Sequence, residues 1–241
     1  MNIFVTGTDT DVGKTIISAG LAAIMQSLGY RTGVLKPFQS GAAEQRGFLV
    51  SPDLAFVKKM DPYVHTHASY VLKAPTAPYI AAEVENIEID LDIVLRDYSQ
   101  MNQKCDTVIV EGSGGLMVPI APNILMSDTA KKLNLPILIV ARPDLGTINH
   151  TLMTINAAKQ AGLKTVGVII NKYPDKTDDI AIKTAPRLIE EYSDAKILGI
   201  VRDFSNEQLS AGVLIANMLN SVDLETIFNI KIPKLDLGIQ Y

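Results

Sequence analysis

Nine consecutive residues, Gly7-Thr-Asp-Thr-Asp-Val-Gly-Lys-Thr15, constrain this chain more than any other stretch. They follow the apolar run Ile3–Thr6, which reads as a strand, and precede a helical pattern that starts near Lys14. Strand, glycine-containing loop and helix in that order are the setting a phosphate-binding loop requires. Gly7 and Gly13 let the backbone turn sharply and aim its N–H groups inward, and the helix adds its positive N-terminal end. Lys14 supplies a mobile cation for the β- and γ-phosphates of a nucleotide, and Thr15 a hydroxyl for Mg²⁺. Thr10, Asp11, Val12 and Ile16 complete the candidate nucleotide contacts. The competing reading, a strand–helix turn that binds nothing, needs glycines, Lys-Thr pair and flanking pattern to coincide by chance.

The rest of the chain repeats the alternation that the loop implies. Strands are expected at Ile3–Thr6, Thr32–Lys36, Thr107–Glu111, Ile137–Ala141, Thr165–Asn171 and Ile197–Val201. Most are apolar throughout, as strands covered on both faces should be. Helices are expected near Lys14–Leu28, Leu91–Gln103, Ser127–Leu133, Asn149–Ala161, Asp178–Tyr192 and Glu207–Met218. Gly29 and Gly162 close two of them in positions that suit a left-handed residue. Such alternation predicts an α/β fold, a doubly wound and mostly parallel sheet with helices on both faces. Residues 41–82 carry Pro52, Pro62, Pro75 and Pro78 and read as loops plus one short helix near Asp53–Met60. With no repeat or compositional break, residues 1–241 are expected to form one domain.

Two further side chains, Glu111 and Lys36, would gather at the carboxyl ends of the strands, where open parallel sheets bind ligands. Glu111 closes an apolar strand and opens Gly112-Ser113-Gly114-Gly115, so it suits Mg²⁺ while the glycines admit close backbone approach. The competing role is a helix cap. Lys36 ends the strand before Pro-Phe-Gln-Ser-Gly41 and would bring a second cation to a transferred phosphoryl group. Alone, a lysine closing a strand is usually solvated. Asp53, after Ser51-Pro52, equally reads as a helix start.

Several functions are disfavoured. A net charge of −4 offers no basic face for nucleic acid. No apolar run approaches the roughly 20 residues needed to span a bilayer, and Met1-Asn-Ile-Phe-Val lacks the basic start of a signal peptide. A cytoplasmic protein is expected. Cys105 is alone, which rules out an intrachain disulfide and favours a packed thiol. His65 and His67 form an H-x-H pair with no supporting third ligand, so a solvated loop is expected. His150, early in a helix, would face solvent or a partner subunit.

Taken together, the segments resemble the dethiobiotin synthetase family. The resemblance rests on Gly7–Thr15, Lys36-Pro37 with Ser40-Gly41, Asp53, Pro75-Thr-Ala-Pro78, Val110-Glu-Gly-Ser-Gly-Gly115 and Leu145-Gly-Thr-Ile-Asn-His150. It runs in order from residue 1 to about residue 171. It implies a homodimer that uses MgATP as co-substrate and CO₂ to close the ureido ring of 7,8-diaminononanoate through a carbamate and a carbamic-phosphoric anhydride. It further implies that Thr15, Asp53 and Glu111 bind Mg²⁺, that Lys14 and Lys36 are catalytic, and that Ser40 touches the substrate. Asn171, followed by Lys172, matches an adenine-reading asparagine, and both join the nucleotide-binding set. Gly146, Thr147 and Asn149 open a helix whose N–H groups suit the substrate's distal carboxylate. In the family that helix belongs to the second subunit.

Two departures stand out: Asp11 replaces the more usual glutamate, and the family's proline near the adenine has no match in Gly199-Ile-Val-Arg-Asp203. The principal rival is a regulatory ATPase similar to ParA and MinD, which share the longer loop with five residues between its glycines. Those proteins carry an additional lysine where this chain has Thr8, and the tail Leu235–Tyr241 has no basic membrane-binding face. A cobyrinate or cobyrate amide synthase would need a glutaminase cysteine motif, which Cys105 lacks. A dead scaffold would not keep Lys14, Thr15, Lys36, Asp53 and Glu111 together.

Overall fold

The computed structural model describes residues 1–204 and 209–232. The chain opens with β1 (Asn2–Gly7), α1 (Lys14–Ser27) and β2 (Thr32–Gln39). A small hairpin of β3 (Ala43–Gln45) and β4 (Phe48–Val50) leads to α2 (Pro52–Met60), β5 (His65–Val71), α3 (Pro78–Val84) and α4 (Leu91–Lys104). Next come β6 (Thr107–Glu111), a second hairpin of β7 (Pro119–Ala121) and β8 (Ile124–Leu125), α5 (Met126–Lys132) and β9 (Ile137–Ala141). The chain continues through α6 (Thr147–Gln160), β10 (Thr165–Tyr173), α7 (Ile180–Glu191), β11 (Ile197–Arg202), α8 (Ala211–Ser221) and α9 (Leu224–Phe228).

Seven strands form one sheet in the order β11-β10-β9-β1-β6-β2-β5, and each neighbouring pair runs parallel. Alternate residues feed two cores. Ile3 and Val5 of β1, with Leu138 and Val140 of β9, pack under α1 and α8. Phe4, Ile137, Ile139 and Val110 face the other layer with α4 and α5. Full burial of such side chains is worth about 1.5–3 kcal/mol each, which explains why these strands are apolar on both faces. Gly20 decides one contact: a Cβ there would meet Met218 Sδ of α8 at 2.1 Å, so α1 and α8 approach closely only because position 20 is bare. Gly29 and Gly162 have φ of 91° and 74°, the left-handed conformation expected at those helix ends.

The α/β reading and the six expected strands hold, with one strand of the seven-stranded sheet and the four short hairpin strands missed. His65–Val71, read as loop, is the edge strand β5. It pairs with the edge of β2 that faces away from β6, from Gly33 with His65 to Gln39 with Val71, whereas the last β2–β6 pair is Leu35 with Val110. Pro37 lies beyond the last β2–β6 pair, where a missing N–H is tolerated. His65 and His67 are exposed, yet His67 Nε2 lies 3.1 Å from Asp97 Oδ2 of α4. Two short helices, α3 and α9, were also missed. The expected helix Glu207–Met218 is found as Ala211–Ser221, its first two positions and the tail Leu235–Tyr241 lying outside the described residues. Among the described residues no helix is long and apolar enough to cross a membrane.

Candidate active site

The phosphate loop joins β1 to α1 at the carboxyl edge of the sheet, and its shape is fixed from below. Gly13, the residue before α1, has φ of 90°, a conformation that L side chains rarely adopt. A Cβ on Gly13 would also meet Asn171 Nδ2 at 2.0 Å. Asn171, two residues before the end of β10, donates from that Nδ2 to Val12 O at 3.0 Å, and Lys172 Nζ donates to Asp11 O at 2.7 Å. Asn171 is only 1% exposed and lies beneath the loop, which its side-chain amide anchors. Val12, at 1% exposed, is likewise core and not cavity lining.

Above the loop lies a cavity of ≈ 540 Å³. Thr10, Asp11, Gly13, Lys14, Thr15 and Ile16 line one wall, with Lys172 beside them. Ser40, Asp53, Glu111, Ser113, Gly114 and the unanticipated Gln39 line the other, with Lys36. Gln39 was legible only as the residue before Ser40; its Oε1 accepts from Ser51 Oγ at 2.5 Å and its Nε2 donates to Ser40 O at 2.8 Å. Ser51 is the N-cap of α2, accepting from Leu54 N at 3.1 Å, and with Pro52 next it sets Asp53 in the first helical turn. Ser113 Oγ donates to Phe38 O, tying the glycine turn after β6 to β2, and Gly112 O accepts from Lys36 Nζ at 3.4 Å.

The charged centre is compact. Lys36 Nζ lies 2.8 Å from Glu111 Oε1 and 2.6 Å from Asp53 Oδ2, while Thr15 Oγ1 donates to the same Glu111 Oε1 at 2.8 Å. Burial alone would lower the Lys36 ammonium, but the Glu111 and Asp53 carboxylates outweigh it and hold it above the ordinary lysine range. Among the described residues Lys14 has no such carboxylate partner, and its Nζ donates to Asp9 O at 3.0 Å. Burial first, and the Lys36 charge second, pull its pKa down to about 8. Two neighbouring cations line one cavity.

The residues assigned to Mg²⁺ fit a hard cation. Glu111 Oε2 is buried and makes no hydrogen bond among the described residues, an orphaned acceptor that a cation would satisfy. Two carboxylates and the Thr15 hydroxyl are hard oxygen donors, and Mg²⁺ habitually takes its remaining ligands from phosphate and water. Lys36 sits between those carboxylates, and no cluster of three or more His, Cys, Asp or Glu side chains stands as a metal site by itself among the described residues.

Gly146, Thr147 and Asn149 do not line this cavity. Gly146 has φ of 97° and precedes α6, but Thr147 is engaged within its own loop: Oγ1 donates to Arg142 O at 2.5 Å and N to Asp144 O at 3.0 Å. Thr147 is 2% exposed. His150 is half-buried, its Nδ1 3.1 Å from Arg142 Nη2.

A family model described as an AAA domain matches residues 1–211. The ATP-dependent dethiobiotin synthetase BioD of Bacillus subtilis (strain 168) is 41% identical over 206 residues, covering 84% of this chain and 87% of that protein. The protein of the same name from Methanocaldococcus jannaschii is 38% identical over 204 residues, covering 83% and 93%. Among solved structures, the MinC:MinD cell division protein complex of Aquifex aeolicus superposes with a TM-score of 0.61 at 14% identity, covering 96% of this chain and 97% of that one. At that identity the likeness is one of fold.

Proposed function

The chain belongs to the ATP-dependent dethiobiotin synthetase family, whose members are ATP-dependent cyclo-ligases of biotin biosynthesis, and from that premise we propose that it closes the ureido ring of 7,8-diaminononanoate with CO₂, yielding dethiobiotin, ADP and phosphate. The observation that supports this reading best is the Lys36 ammonium, 2.8 Å from Glu111 and 2.6 Å from Asp53, across one cavity from the phosphate loop.

The proposed steps ask for charge stabilisation more than for a strong base. One substrate amine takes up CO₂ and loses a proton to become a carbamate. A carbamate oxygen attacks the γ-phosphorus, the bond to the β-phosphate oxygen breaks, and ADP leaves. The neighbouring amine then attacks the carbonyl carbon of the mixed anhydride, closing the ring as phosphate departs. Amides of the loop from Thr10 to Thr15 and the start of α1 hold the phosphates. Lys14 and Lys36 stabilise charge on the transferred phosphoryl group and the carbamate, and preorganised donors of this kind are where catalysis of phosphoryl transfer resides. Thr15, Asp53 and Glu111 would hold Mg²⁺, which neutralises phosphate charge when bound. Ser40, at the cavity wall beside Gln39, contacts the diamine.

Because Gly146 and Asn149 lie outside the cavity, the reading places the distal carboxylate on α6 of a second subunit in a homodimer. Incubation with MgATP, ¹⁴C-bicarbonate and 7,8-diaminononanoate should yield an acid-stable labelled product. ATP hydrolysis that is indifferent to the diamine, with no such product, would overturn the reading.

A further inference from the structure

Arg142 belongs to no part of the proposed chemistry, yet it connects two of its elements. β9 pairs with β1 in parallel, Gly7 opposite Val140, so two residues further on the chain brings Arg142 beside Asp9 of the phosphate loop. The backbone junction is closed by Thr8 N, which donates to Val140 O at 2.9 Å. Arg142 Nη1 lies 3.9 Å from Asp9 Oδ2, and Nη2 lies 3.1 Å from His150 Nδ1 in the first turn of α6. Its carbonyl accepts from Thr147 Oγ1 at 2.5 Å. The Nε atom is buried and makes no hydrogen bond among the described residues, so the fork is hydrogen-bonded at Nη2 and joined to Asp9 by the longer ion pair at Nη1.

Chemistry fixes the direction of the contact to α6. A guanidinium nitrogen can only donate, so His150 Nδ1 accepts and the ring hydrogen resides on Nε2. On the loop side, the residue that faces Arg142 also governs Lys14. Asp9 O accepts from Lys14 Nζ at 3.0 Å, and Asp9 Oδ1 accepts from Thr10 N at 2.7 Å. A shift of Asp9 therefore moves a catalytic lysine and a phosphate-binding amide together.

We propose that Arg142 is a positioning residue that ties the first turn of α6 to the phosphate loop through His150 on one side and Asp9 on the other. The proposal rests on the cavity accepting a nucleotide, and not on the identity of the second substrate. It makes His150, which does not line the nucleotide cavity, a determinant of nucleotide affinity.

The test is a double-variant cycle on the full chain, read as the dissociation constant of the fluorescent analogue mant-ATP with Mg²⁺, with urea midpoints recorded for each variant. His150→Ala should weaken binding about fivefold, in the range of modest site coupling. His150→Gln, whose side-chain oxygen still accepts from Arg142, should retain most of the affinity. Arg142→Gln should lose as much as His150→Ala, and the double variant no more than either. Unchanged affinity in His150→Ala, equal losses in the Ala and Gln variants, or losses that multiply in the double variant would each overturn the bridge. The two His150 variants decide the question even if Arg142→Gln does not fold. A protein that binds mant-ATP but forms no dethiobiotin would sink the proposed function and leave this cycle fully interpretable.

Discussion

Lys36 and Glu111 meet at 2.8 Å with 4% and 1% of their surfaces exposed, although 75 positions separate them in sequence. The last β2–β6 pair, Leu35 with Val110, places each as the next residue of its strand. The same Glu111 Oε1 takes the Thr15 hydroxyl of α1 at 2.8 Å, so one carboxylate oxygen links the phosphate loop to the second cation.

Lys36→Met should reduce turnover about a hundredfold, the usual cost of losing one preorganised charge donor, roughly 3 kcal/mol. It should also lower the unfolding free energy by about 3 kcal/mol, because Glu111 is left buried without its cation. Lys59, exposed on α2, is the control, and Lys59→Ala should change neither quantity. Steady-state kinetics and urea unfolding measure both; normal turnover in Lys36→Met would remove the residue from the catalytic set.

Lys14 should make nucleotide affinity fall as pH rises through about 8. Phosphate binds the ammonium form, so above that value binding must take up a proton, and affinity should drop by up to about tenfold per pH unit. Stability without nucleotide should move the other way. From about 8 to the ordinary lysine value of 10.5 the unfolded chain binds more protons than the folded one, so stability rises across that window. The gain is up to about 3 kcal/mol. Titration calorimetry and urea midpoints across this range are the measurements, and Lys14→Met should flatten both profiles.

Gly13→Ala combines a φ of 90° with a Cβ 2.0 Å from Asn171 Nδ2. Strained backbone alone costs about 1–3 kcal/mol. The substitution should abolish measurable mant-ATP binding while the far-UV spectrum stays native. Adding Asn171→Ala removes the clash but not the strain, so recovery should be partial. Full recovery would mean that crowding and not backbone conformation makes position 13 a glycine.

The proposed shared site can be tested by mixing subunits. Lys14→Ala and Asn149→Ala should each be inactive alone. In a two-fold dimer, each mixed species carries one site with both lesions and one with neither, so about half the sites of the mixed dimers should recover. Proven subunit exchange without recovered activity would place the carboxylate pocket within a single chain.

The phosphate loop was legible because it is a local device. Two glycines, a Lys-Thr pair, a preceding apolar run and a following helix lie within a few turns of chain, and each acts through its immediate neighbours. The buried strands were legible for the same reason, since a segment covered on both faces announces itself by being apolar throughout. That uniformity also hides register: where nearly every residue is apolar, a one-residue slip leaves no mark on the pattern. Only the assembled sheet could set Lys36 against Glu111, or Arg142 against Asp9. His-Thr-His-Ala-Ser-Tyr-Val, polar and flanked by Pro62 and Pro75, became β5 because the edge of β2 facing away from β6 needed a partner. Asn171, two residues before the end of β10, turned under the loop, where the bare Cα of Gly13 left room for its amide to hold Val12. Those outcomes depend on which distant backbone groups are left needing partners, and that is decided only when the sheet closes around them.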